Sequence, residues 1–196
     1  MIEYLRGEIA ELSPAQLIME CNGIGYSVHI SLTTYSAFNG QSKGIIHIHE
    51  VIREDAHLLY GFATREEREL FLLLTTVSGV GPNTARMILS SLPPAELIQV
   101  IASGDDASLT TIKGIGSKTA QRIVVDLRNK VKTVEHAGKK SDLPAGVRSE
   151  TIEGAVAALV MLGFQKSASR KTVDSILKNT PAASVEQIIK DALKIL

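Results

Sequence analysis

Two nine-residue stretches carry the clearest chemistry in the chain. Val77-Ser78-Gly79-Val80-Gly81-Pro82-Asn83-Thr84-Ala85 is echoed 35 residues later by Ile112-Lys113-Gly114-Ile115-Gly116-Ser117-Lys118-Thr119-Ala120. Each copy reads Gly-apolar-Gly, then a polar or proline helix start, then Thr-Ala and an apolar helix. Glycine permits positive φ and leaves no side chain between the backbone and a ligand. The apolar residue between the glycines, Val80 or Ile115, is placed to plug the core and fix the turn. The N–H groups of the following helix start then face outward, with the positive end of the helix dipole behind them, and this suits a phosphate. Such a grip touches no base edge, so it does not depend on nucleotide sequence. Two copies suit the two strands of one duplex across a groove. The candidate backbone-binding residues are Gly79, Val80, Gly81, Asn83 and Thr84 in the first copy. In the second they are Gly114, Ile115, Gly116, Ser117, Lys118 and Thr119. Arg122 lies four residues beyond Lys118 on the same helix face and joins them as a cation, whereas Arg86 reads equally as a DNA contact or a solvated side chain.

A lone Gly-x-Gly turn is also a common tight connection between helices. The matched pair ending in Thr-Ala looks instead like tandem helix-hairpin-helix motifs. Other chemistries fail on spacing. A dinucleotide fingerprint needs a third glycine where Thr84 and Thr119 stand, and a P-loop needs Gly-Lys-Ser/Thr where the order is Gly116-Ser117-Lys118-Thr119. No nucleotide-hydrolysis site and no cofactor is therefore expected. His47 and His49 share a strand face, but a third ligand is lacking, so no metal is expected either. Lys118 has the character of the amine nucleophile of a base-excision glycosylase/lyase. The Asp such an enzyme needs downstream is either Asp126, in the same helix, or Asp142, in a linker, and there is no room for a base-flipping helical domain. A duplex-binding scaffold without catalysis would share the hairpins.

The elements that must position these turns change texture along the chain. Residues 1–63 read as five short strands, Ile2 to Ala10, Leu17 to Cys21, Gly25 to Ser31, Gly44 to Arg53 and His57 to Phe62, separated by turn residues. A small barrel or sandwich fits, with the OB-fold as one option. Residues 64–132 switch to helical spacing, with about five short helices punctuated by Pro93-Pro94 and Gly104-Asp105-Asp106. Residues 133–148 have little periodicity and read as a flexible linker. Three helices follow. The first has the stripe Ile152, Ala155, Val156, Leu159, Leu162, and the third opens on a Ser184-x-x-Gln187 capping box.

Composition sets the frame. The chain has 196 residues, 44% apolar and 21% charged, with 21 basic and 21 acidic side chains, so a wholly basic nucleic-acid coat is excluded. Residues 1–64 hold three bases against seven acids, whereas 65–133 and 134–196 each hold nine against seven. The middle module is the better anion binder. The single Cys21 excludes a disulfide framework. Neither a signal peptide nor a membrane span is evident, so a cytoplasmic location is the default expectation.

An acidic five-strand module, tandem hairpins and a tethered three-helix module together resemble, over the whole chain, the RuvA family of Holliday-junction-binding subunits. Val51-Ile52-Arg53-Glu54-Asp55-Ala56-His57-Leu58-Leu59-Tyr60-Gly61-Phe62 is similar to that family's acidic-pin hairpin, and Ala155 to Phe164 to the first helix and loop of its C-terminal domain. The resemblance implies an α+β multidomain fold. Its parts would be an N-terminal OB-fold β-barrel with the pin (1–63), an all-α tandem helix-hairpin-helix DNA-binding domain (64–132), the linker (133–148) and a C-terminal UBA-like three-helix bundle (149–196). It further implies a homotetramer, in some cases an octamer, on a four-way junction. Glu54 and Asp55 would project near the crossover and repel phosphates. Met161, Leu162, Gly163 and Phe164 would help dock the hexameric ATPase RuvB, with the resolvase RuvC in a larger complex. The chain departs from the family pattern at Asn83, where Lys is common, and at Ser117, which precedes a single Lys118. Fewer cations imply a smaller salt slope or a greater reliance on backbone amides.

Overall fold

The computed structural model describes residues 1–131, 147–180 and 183–195. They fall into two compact units, Met1–Lys140 and Ser141–Leu196. Five strands open the first unit: β1 (Tyr4–Ser13), β2 (Gln16–Cys21), β3 (Ile24–Ile30), β4 (Lys43–Ile52) and β5 (His57–Phe62). They close into a barrel in the order β1-β2-β3-β5-β4, with β3 and β5 parallel and the other pairs antiparallel. This is the five-stranded OB-fold. Asn22 and Gly23, both at positive φ, make the two-residue β2–β3 turn, the geometry that matches strand twist. The first strand runs further than its alternation suggests, to Ser13, because its register shifts at a bulge between Ile9 and Glu11.

Strand β5 serves two cores. Leu59 packs inside the barrel with Leu17, Met19, Val28 and Ile46. Tyr60 and Phe62 point the other way, into a helical core with Phe71, Leu74 and Leu89. Gly61 faces the barrel interior, where an added Cβ would lie 2.4 Å from Val28 Cγ1 and 2.5 Å from Ile46 Cδ1, so no other residue fits.

A helix absent from the sequence expectation, α1 (Leu32–Phe38), follows β3 and drives Phe38 into the barrel core. Its N-cap, Ser31, accepts from the Thr34 N–H. The helical region then runs α2 (Arg65–Thr75), α3 (Pro82–Ser91), α4 (Pro94–Ser103), α5 (Asp106–Thr110) and α6 (Ser117–Leu127). Glu67 in the first turn of α2 is 1% exposed and joins these parts. It accepts from the hydroxyls of Ser31 and Thr34 and from the Ala63 N–H. Burial holds its carboxyl above the usual carboxylate range, against the pull of those hydrogen bonds.

The second unit is a three-helix bundle, α7 (Val147–Met161), α8 (Lys166–Asn179) and α9 (Val185–Ala192), around Ala155, Val156, Leu159, Val173, Ile176, Leu177, Ile188 and Ala192. Most of the expected linker lies outside the described residues, and helix α7 has begun by Val147. Ser184 caps α9 as its motif predicts, but only half of the capping box forms: the Gln187 side chain donates to Asp191 instead of returning to the cap. Leu162 does not complete the α7 stripe. It lies past the last helical residue and is 59% exposed. Among the described residues no helix is long and apolar enough to cross a membrane.

Candidate nucleic-acid interface

The sequence repeat is a structural repeat. Gly79 sits at φ 92° and Gly114 at φ 91°. The Val80 N–H donates to the Val77 carbonyl and the Ile115 N–H to the Ile112 carbonyl, both at 3.0 Å. Val80 and Ile115 are buried, so their contribution to a ligand is backbone alone. Gly81 caps α3 at φ −85°, ψ 173°, and Gly116 caps α6 at φ −85°, ψ 165°. Neither cap carries a side chain to cover the helix start, so the first N–H groups stay available. The match reaches further back than the glycines. The Thr76 and Thr111 hydroxyls each donate at 2.7 Å to a carbonyl three residues earlier, closing the helix that precedes each turn. The paired Thr75-Thr76 and Thr110-Thr111 extend the repeat in the sequence and could have been read there.

The two turns lie side by side. A Cβ on Gly79 would stand 4.0 Å from Thr119 Oγ1, and Arg122 Nη1 donates to the Ser78 carbonyl at 3.4 Å. Arg122 thus brings a guanidinium from the second motif to the first turn. Lys118 and Lys113 are exposed at the second turn, with no hydrogen bond or ion pair to the described residues. Lys113 stands where the first copy has Ser78, and the sequence reading passed over it as a site residue.

The first motif is strapped to the barrel. Tyr60 donates its hydroxyl to Asn83 Oδ1 at 3.2 Å, and Arg86 donates to the Ala15 carbonyl at 3.1 Å. Leu32 N–H donates to Ser90 Oγ and the Thr33 hydroxyl to the Leu89 carbonyl. Arg86 is half-buried, and its bond to Ala15 ties it to the barrel, a contact that neither of its two sequence readings included. It also helps hold the His29 imidazole below its ordinary pKa, although burial is the larger cause.

Glu54 and Asp55 occupy the tip of the β4–β5 hairpin, beyond the last pair Ile52↔His57. Both are exposed, and the turn is closed by the Arg53 N–H donating to the Ala56 carbonyl at 2.8 Å. Below the tip, Glu50 accepts from the Ile2 N–H at 2.8 Å and lies 3.2 Å from His57 Nε2, and these partners hold its carboxyl below the usual range. In the second unit, Met161 is 89% exposed, Gly163 turns the chain at φ 99°, and Phe164 packs back on the bundle.

Comparison with known proteins follows this division. Residues 1–61 match the family description "RuvA N terminal domain", 71–129 "SAM-like Helix-hairpin-helix tandem" and 151–196 "RuvA, C-terminal domain". The chain is 63% identical over 196 residues to a Parabacteroides distasonis protein named Holliday junction branch migration complex subunit RuvA. It is 56% identical over 201 residues to a protein of that name from Bacteroides fragilis and 42% identical over 196 residues to one from Flavobacterium psychrophilum. Each alignment covers the whole of both chains.

Proposed function

The chain belongs to the RuvA family, and from that premise we propose that it is the non-catalytic subunit of a branch migration complex. It binds four-way (Holliday) junction DNA without regard to sequence, holds the junction open and recruits the RuvB ATPase, in recombination and repair. The observation that carries this reading is the pair of turns with matching backbone angles, each presenting an uncovered helix start. Gly79, Val80, Gly81, Asn83 and Thr84 cradle one phosphate run, and Gly114, Ile115, Gly116, Ser117, Lys118 and Thr119 another. Lys118 and Arg122 supply charge.

Attraction at the turns needs a counterweight if arms are to be opened. Glu54 and Asp55, exposed on a projecting hairpin, repel phosphates at the crossover. The protein acts as a homotetramer, alone or as two tetramers around one junction, within a larger assembly that includes RuvC. Its domains are the barrel with the pin (1–63), the hairpin domain (64–132), a linker (133–148) and the motor-binding bundle (149–196). In the bundle, Met161 and Leu162 are the apolar anchors, while Gly163 and Phe164 hold their loop in place. Its place of work is the cytoplasm.

A gel shift of a four-way junction against linear duplex of equal length and composition tests the reading. Preference for the junction is expected, retained when its arm sequences are scrambled. Equal affinity for the two DNAs contradicts it.

A further inference from the structure

We propose that Tyr60 is a positioning residue for DNA binding: by holding Asn83 Oδ1, it turns the Asn83 amide so that its Nδ2 donors face the phosphate at the first hairpin. The inference rests on the reading that the hairpins bind the DNA backbone. Pro82, the first residue of α3, has no N–H, so the first hairpin starts one donor short of the second, where Ser117 occupies that place. It also lacks a cation of its own on the turn. Asn83 is exposed, and its side-chain amide carries two N–H donors. Those donors help only if the carbonyl end of the amide is kept away from the anion.

Tyr60 is built to do this. Its ring packs against His29, at 5.5 Å between centroids, and Phe71, at 5.2 Å. The residue is 2% exposed, so the phenol oxygen has one fixed position. From that position the hydroxyl donates to Asn83 Oδ1 at 3.2 Å. With the oxygen engaged, Nδ2 points away from Tyr60. The barrel thereby sets the donor pattern of a helix start that lies 23 residues further along the chain.

The test is anisotropy titration of a labelled four-way junction with the full chain, at several salt concentrations, for wild type, Tyr60→Phe, Asn83→Ala and the double variant. Tyr60→Phe keeps the ring packing and removes only the hydroxyl. It should weaken binding about three- to fivefold, the effect of one net hydrogen bond. In the Asn83→Ala background it should change nothing further. The salt slope should stay at the wild-type value in all variants, because no charge is lost. Independent, additive losses would mean that Tyr60 only braces the seam, and a Tyr60→Phe protein equal to wild type would also overturn the proposal. Wild type that ignores the junction would instead remove the functional reading on which it rests.

Discussion

The first and second hairpins share a backbone and divide the chemistry. Their turn glycines differ by 1° in φ, and their closing hydrogen bonds are equal in length. Yet the first is neutral on its turn, starts with Pro82 and is tied to the barrel through Asn83, Arg86, Leu89 and Ser90. The second carries Lys113 and Lys118, keeps the N–H of Ser117 and reaches back to its neighbour through Arg122. Identical turns therefore do not imply identical binding. On the proposed function, the first hairpin is placed by its surroundings and works through dipoles, while the second supplies charge.

The largest break in this comparison comes from destroying the shared geometry. A β-branched side chain at φ near +90° is a backbone outlier costing more than the roughly 1–2 kcal/mol of an ordinary residue there. Gly79→Val and Gly114→Val should each weaken junction binding by more than about tenfold, with Gly114→Val the worse because it also displaces the charged turn. Anisotropy titration beside thermal melts separates lost binding from lost fold. The contrast in charge is sharpened by Lys118→Ala. Its salt slope should fall by about 0.9, one phosphate contact, whereas Asn83→Ala should leave the slope unchanged. Equal slopes for these two variants would erase the distinction drawn between the hairpins.

The pin offers a smaller effect that should not discriminate between them. Glu54→Gln with Asp55→Asn removes repulsion common to both hairpins, so junction and duplex should both bind more tightly and the preference for the junction should shrink. Smallest is the effect of Glu67→Gln, at the seam that braces the first hairpin. A carboxyl whose folded pKa is raised favours the fold below its unfolded pKa and loses that advantage as pH rises through the folded value. The melting temperature of wild type relative to Glu67→Gln should therefore fall as pH is raised from about 4 to 7; a difference independent of pH would contradict the burial assigned to this group.

The repeat was legible because both copies spend the same residue types on the same turn, and Gly79, Gly114, Val80 and Ile115 behave as their chemistry predicts. The five strands were legible within a few residues, since alternation and turn residues are local signals. Helix α1 was not. Leu-Thr-Thr-Tyr-Ser-Ala-Phe is only seven residues long, with β-branched residues at its start and no full helical period to detect. Leu162 fitted a stripe by spacing, but the helix ends before it. The seam was invisible for another reason. Tyr60 with Asn83, Arg86 with Ala15 and Ser31 with Glu67 are separated by 23, 71 and 36 residues, and no local pattern encodes such pairs. Glu67 looks in the sequence like any acid in a charged helix start, although it is the buried one.

The central claim, that both helix starts grip the DNA backbone together, is met most directly by following backbone amide resonances as a four-way junction is titrated into isotope-labelled protein. Asn83 and Thr84 in the first hairpin and Ser117, Lys118 and Thr119 in the second should shift in step, at one DNA concentration. Shifts confined to a single hairpin, or absent from both while binding occurs, would contradict it.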